Sequence, residues 1–98
     1  MDFGKVLRRL RRDKGISIKQ LASDLDVNYT YISKIENSHV TPSSTIVNKI
    51  SSYFNYSSDE LLLISGKLPK DIEDILRNNP EEAVRLLRSK FAGKHRSE

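Results

Sequence analysis

The stretch from Ile16 to Pro42 constrains this chain more than any other. It holds two short amphipathic helix patterns separated by about three turn residues. Ser17 is a helix N-cap, and Gln20 three residues on predicts a capping box. Ile18, Leu21, Ala22 and Leu25 then recur at helical spacing and predict an inner face. Asp26-Val27 predicts the turn, and Asn28 caps a second helix with Tyr31 (or Thr30), Ile32 and Ile35 as its stripe. Asn37-Ser38 ends that helix. Two helices this short cannot bury enough apolar surface alone, so others must pack against them.

The flanks supply the others. Phe3, Val6, Leu7 and Leu10 make a stripe that Gly15 closes as a left-handed helix end. Thr41 or Ser43 starts a fourth helix around Pro42, with Val47, Ile50 and Phe54 inward. Ser57-Ser58-Asp59-Glu60 caps a short fifth helix through Leu61, Leu62 and Ile64, and Gly66 stops it. Composition then changes. Leu68, Ile72, Ile75 and Leu76 form a sixth stripe. Asn79-Pro80-Glu81-Glu82 is another start signal, with a cap, a proline at the first position and carboxylates at the positive helix end. Val84, Leu87 and Phe91 follow on one face, with Leu86 beside them, and Lys94 to Glu98 reads as a frayed end. No period-two strand pattern and no internal repeat is present. The expected fold is all-α: a five-helix domain over residues 1–66 and a two-helix extension over residues 67–98.

The helix–turn–helix pattern from Ile16 to Pro42 resembles the phage repressor/Cro-like family of bacterial and phage transcription regulators (the xenobiotic response element type). The resemblance runs from about Phe3 to Leu62. It implies a five-helix lambda-repressor-like domain whose second motif helix enters the DNA major groove. In such proteins the first, second and sixth positions after the cap reach base edges, which here are Tyr29, Thr30 and Lys34. Lysine donates to guanine O6 or N7, threonine's methyl meets a thymine methyl, and tyrosine donates to a base or a phosphate. The competing reading for Tyr29 and Lys34 is a solvated helix face; Thr30 can instead pack inward or support the cap. Ser33 matches a serine common in the family and is expected on a phosphate or on its own helix. Tyr31 is expected at the core edge with its hydroxyl near the DNA backbone. The resemblance also pairs Arg11 with Glu36 as a partly buried structural ion pair that locks the second motif helix to the first helix of the domain.

Phosphate contacts are expected at the motif's borders. The start of the second helix presents free N–H groups at Ser17, Ile18 and Lys19, an anion site by geometry alone. Asn37, Ser38 and His39 form the second expected clamp; for His39 an exposed loop residue is the competing reading. Three residues depart from the family pattern. Ile18 stands where a glutamine usually opens the second helix, which removes one side-chain contact. Asp26 and Ser38 stand where glycines usually close the two helices.

Charge agrees with a polyanionic partner. The net charge is +4, and its distribution matters more than its size. Residues 1–16 carry six basic and two acidic side chains, residues 17–66 three and five, and residues 67–98 eight and six. Basic ends flank a near-neutral middle, so the ends can grip phosphates while the middle reads bases. Arg12 and Lys14 can add long-range attraction. An ordinary soluble surface is the competing reading.

Several classes find no support. There is no cysteine, and His39 and His95 are the sole histidines, so no metal site is expected. No cofactor is expected, because no glycine-rich phosphate loop is present. The paired serines Ser43-Ser44 and Ser51-Ser52 have no histidine–carboxylate partner in the pattern, so no catalytic residue and no enzyme is expected. No apolar run approaches the roughly 20 residues of a membrane span, and a cytoplasmic location is expected. A single such domain covers half of a typical operator, so a homodimer is expected. Its interface is expected on Ile72, Ile75, Leu76, Val84, Leu87 and Phe91. Those same residues can instead face a second protein, as in antitoxin-type or accessory regulators, or fold back onto their own core.

Overall fold

The computed structural model describes residues 1–92. Seven helices and no strand occur among them: α1 Phe3–Asp13, α2 Ile18–Leu25, α3 Tyr29–Glu36, α4 Ser44–Phe54, α5 Ser58–Ile64, α6 Lys70–Asn78 and α7 Pro80–Lys90. The chain is all-α, a lambda-repressor-like five-helix domain followed by two further helices. It divides into two compact units after Lys67. Lys67 itself is tied to the first unit, because its ammonium donates to the Pro42 carbonyl at 2.8 Å. Residues 94–98, expected to fray, lie outside the described residues.

The first unit holds a single core. Leu7, Leu21, Ile32, Ile35, Val47, Ile50 and Leu61 are sealed from solvent, with at least one from each of the five helices. Phe3, Val6, Ala22, Leu25 and Ile46 complete it, and Phe54 and Tyr31 pack at its edge. Ile46 is a full core member that the α4 stripe did not include. Thr30 is exposed, so Tyr31 and not Thr30 extends the inner stripe of α3.

The helix starts follow side-chain capping. Asp2, Ser17, Asn28, Ser43 and Ser57 each accept a hydrogen bond from a backbone N–H in the first turn of the helix that follows. The fourth helix therefore starts from Ser43, and Thr41 lies outside it. The expected box at Ser17 is only half formed. Ser17 Oγ accepts from Gln20 N at 3.0 Å, but the Gln20 side chain donates forward to Asp24 Oδ1 at 2.8 Å. Asp24 also accepts from the Tyr53 hydroxyl at 2.6 Å, so it is held as an acceptor and draws the Gln20 amide away from the helix start.

All five helix ends in this unit close in the same way. Gly15, Asp26, Ser38, Asn55 and Gly66 take positive φ. Each donates its N–H back three residues while the next residue donates back five, as in Ser38 N to Ile35 O at 3.0 Å and His39 N to Lys34 O at 2.8 Å. This double closure satisfies carbonyls that the helix leaves open. Glycine fills the left-handed position at two ends only; Asp26, Ser38 and Asn55 occupy it at the others.

In the second unit neither helix buries a residue. Leu68 precedes α6 rather than belonging to it. Two i,i+4 ion pairs, Lys70–Asp74 at 2.9 Å and Glu73–Arg77 at 2.8 Å, support α6 along its solvated side. Asn79 does not cap α7 with its side chain. Its amide instead donates to the Ile75 carbonyl at 2.9 Å and closes α6, which leaves Pro80 to set the first turn of α7.

Candidate nucleic-acid interface

The α2–turn–α3 geometry begins at Ser17. With the Gln20 N–H capped and the Leu21 N–H bonded to the Ser17 carbonyl, the Ile18 and Lys19 N–H groups are those left open by the helix. Lys19 is exposed beside them, while the Ile18 side chain is half-buried against the core. Ile18 therefore offers a backbone donor only. Val27 packs against the core and Asp26 turns the chain through its left-handed backbone. Asn28 Oδ1 then accepts from Thr30 N at 2.7 Å and starts α3.

On α3, Ile32 and Ile35 are fully inside, so the opposite side faces out. Tyr29 with Ser33 and Thr30 with Lys34 are two neighbouring i,i+4 pairs, which puts all four on one continuous outer surface. Tyr29, Thr30 and Lys34 are exposed and Ser33 is half-buried. These side chains present a phenol, a hydroxyl with a methyl, a second hydroxyl and an ammonium, a set that can donate to base edges and phosphates. Tyr31 sits apart from them. It is half-buried, and its hydroxyl oxygen accepts from Ser43 N at 3.4 Å, at the entry to α4.

What holds α3 at its angle is a buried carboxylate. Glu36 is 3% exposed. Arg11 meets it side-on, with Nε to Oε2 at 2.6 Å and Nη2 to Oε1 at 3.0 Å, and its Nη1 donates to the Ile16 carbonyl. Arg11 is thus a planar tie between α1, the α2 entry and α3. Glu36 in turn raises the Arg11 pKa, mainly by this hydrogen bond. A forked guanidinium–carboxylate pair of this kind is directional as well as strong.

Arg8 joins the same carboxylate, a contact that the sequence reading missed. Its Nε donates to Glu36 Oε1 at 3.4 Å, and its Nη2 to the Glu36 carbonyl at 3.3 Å and to Asn37 Oδ1 at 2.9 Å. A signal existed: Arg8 and Arg11 are three residues apart and so share a helix face. Asp2 was missed as well, although an aspartate just before a helix is a strong cap signal. Besides capping α1, it accepts the Ser38 hydroxyl at 2.9 Å on both oxygens. That bond, with the Gly4 N–H next in weight, holds the Asp2 carboxyl below its ordinary pKa.

The loop after α3 is therefore internally engaged. The Asn37 amide donates to the Ser33 carbonyl at 2.9 Å while its oxygen takes Arg8. Ser38 spends its hydroxyl hydrogen on Asp2. His39 is exposed. Elsewhere Lys14 lies over the Tyr53 ring at 4.4 Å, and Lys49 donates to the Leu25 carbonyl at the end of α2. Among the described residues no cluster of three or more metal-ligating side chains occurs, and no helix is long and apolar enough to cross a membrane.

A capped helix, a left-handed turn and a second helix with one buried and one open side define a helix-turn-helix protein. The family model described as helix-turn-helix matches residues 7–61, more than half of the chain, and the chain belongs to that family in its phage repressor/Cro-like form. It is 32% identical over 97 residues to the HTH-type transcriptional regulator SlrR of Bacillus subtilis (strain 168), covering 98% of this chain and 62% of that protein. It is 28% identical over 88 residues to the HTH-type transcriptional regulator ImmR of the same organism, covering 90% of this chain and 69% of that protein. With the HTH-type transcriptional activator BcrR of Enterococcus faecalis it shares 39% identity over 62 residues, 63% of this chain and 30% of the relative. The chain thus spans less than two thirds of the first of these relatives. No solved structure gives a significant match.

Proposed function

We propose that this protein is a sequence-specific DNA-binding transcription regulator, a repressor or autoregulatory controller that binds an inverted-repeat operator as a homodimer. The observation that carries this reading is the open side of α3. Tyr29, Thr30, Ser33 and Lys34 stand together on a helix that the buried Glu36 locks to α1. A rigid helix with four hydrogen-bonding side chains on one face suits the major groove, which displays a distinct donor–acceptor pattern for each base pair. In this reading Tyr29, Thr30 and Lys34 read bases. The Ile18 and Lys19 N–H groups and Ser17 meet a phosphate on one flank, while the exposed His39 side chain meets one on the other, next to Asn37 and Ser38, with Ser33 and Tyr31 beside them. The names of SlrR, ImmR and BcrR as transcriptional regulators support the same class.

Dimerisation rests on the second unit. Ile72, Ile75, Val84, Leu87 and Phe91 are 40–59% exposed, and the half-buried Leu76 joins Ile75 and Leu87 in an apolar crevice. The same apolar surface favours the second reading, in which a different protein covers it. The mass of the pure protein in solution separates them: a dimer that survives dilution supports self-association, and a monomer supports a foreign partner.

Selection from random duplexes tests the main reading. Wild type is expected to enrich an inverted repeat, and Tyr29→Ala with Lys34→Ala to lose preference at fixed positions within each half-site. Each lost base contact should cost about 1–3 kcal/mol of discrimination. Salt-sensitive binding with no enriched sequence would remove the base-reading role.

A further inference from the structure

We propose that Arg8, which lies on α1 outside the α2–turn–α3 motif, is a pre-aimed ligand for a DNA phosphate beside the C-terminal end of α3. The inference rests on the DNA-binding reading above and adds a contact to it. Three observations carry it. First, two guanidiniums, Arg8 and Arg11, share the single carboxylate of Glu36, so Arg8 has no ion-pair partner of its own. Second, Arg8 is the outer of the two: its side chain is 34% exposed against 11% for Arg11. Third, the Arg8 fork is only partly used. Nε and Nη2 are engaged with Glu36 and Asn37, and among the described residues Nη1 has no acceptor. A guanidinium has five N–H donors in a rigid plane, so anchoring one edge orients the other. The open edge has phosphate chemistry: fixed geometry, full charge and little side-chain entropy left to lose on binding.

The neighbours agree. Ser38 and Asn37, the hydroxyl and amide nearest in sequence to this position, are already bonded to Asp2, Ser33 and Arg8. Their side chains have little left to offer a phosphate, and the Asp2 carboxylate at Ser38 repels one. Arg8 is the cation held against this loop by direct bonds. Arg9, the next residue, is exposed and makes no bond to α3.

The test is the salt dependence of binding to the selected duplex, measured on the full chain with Arg8→Gln, Arg8→Lys and Arg9→Gln. Each neutralised phosphate contributes about −0.9 to the slope of log affinity against log salt. Arg8→Gln is expected to make the slope shallower by roughly that amount per subunit, about twice it for a dimer on the inverted repeat, weaken binding at low salt, and leave base preference unchanged. Arg8→Lys is expected to keep the slope and recover part of the affinity. Arg9→Gln is expected to leave the slope within a few tenths of wild type. Thermal melting of the free proteins separates folding from contact, because Arg11 still pairs Glu36 in every variant. An unchanged slope in Arg8→Gln, with any affinity loss tracking its melting temperature, would make Arg8 a purely structural residue. Equal slope changes in Arg8→Gln and Arg9→Gln would mean a diffuse field and would also overturn the proposal. A wild type that binds no duplex at all would overturn the DNA-binding reading itself, and Arg8 with it; a wild type that binds with an unchanged Arg8→Gln slope would overturn Arg8 alone.

Discussion

Gly4 sets how closely α1 approaches α3. A Cβ built there would lie 2.5 Å from the Ile35 carbonyl oxygen and 2.7 Å from that of Glu36. Both are backbone atoms and cannot rotate aside. The close approach is also what lets Arg8 and Arg11 reach Glu36 from the same helix. Helix propensity alone predicts that Gly4→Ala stabilises α1, by up to about 1 kcal/mol. The packing predicts the opposite sign. Forcing a methyl into a filled contact costs about 1–3 kcal/mol, and a shift of about 4–8 °C per kcal/mol is ordinary for a domain this size. Gly4→Ala is therefore expected to lower the melting temperature by several degrees, read by circular dichroism. A variant that melts higher than wild type would show that propensity wins and that the two helices can separate without loss. Gly4 stood unmarked in the sequence, because its role depends on a backbone more than thirty residues away. The Arg11–Glu36 pairing was visible through family resemblance, whereas Arg8 was not, since the sequence does not reveal how many donors one buried carboxylate collects.

At the scale of the element, the helix starts were readable and the ends partly so. Ser17, Asn28, Ser43 and Ser57 act on N–H groups two or three residues away, so local sequence is enough to find them. Gln20 and Asn79 misled because each had a competing local acceptor, Asp24 Oδ1 for one and the Ile75 carbonyl for the other. Asp26 shows how far a non-glycine helix end can serve. It holds φ at 57°, a conformation that costs most residues roughly 1–2 kcal/mol and aspartate less. Its carboxylate also stands at the negative end of α2, which is unfavourable. Glycine would remove both penalties, against about 0.4–1 kcal/mol from the freer unfolded chain. Asp26→Gly is expected to match or exceed wild type in thermal stability, and Asp26→Ala to fall below Asp26→Gly. Equal melting temperatures for the glycine and alanine variants would show that the left-handed backbone at this turn carries no cost.

The two units differ in what they bury, and that difference predicts how the whole molecule behaves when cut. Among the described residues, all twelve buried apolar side chains lie between Phe3 and Leu61. Each helix of that unit is closed at both ends by bonds formed within it. A chain ending at Lys67 therefore retains a complete core and should melt cooperatively. The remaining helices, α6 and α7, are nine and eleven residues long and bury none of their side chains. Isolated helices of that length are marginal in water, and the energy that orders them must come from packing. Phe91, Leu86 and Ile75 are more than half exposed, so the packing surface is available to a partner. Under the proposed homodimer, that surface joins two reading heads and makes the second half-site an intramolecular event. The 1–67 chain is then expected to sediment as a monomer and bind an inverted repeat as two independent half-sites. The full chain should sediment as a dimer and bind the same duplex in one tight step that depends on half-site spacing. A 1–67 chain that dimerises and keeps full operator affinity would place the subunit contact in the first unit. A full-length monomer that binds single half-sites would leave the apolar surface of residues 68–91 to a different protein.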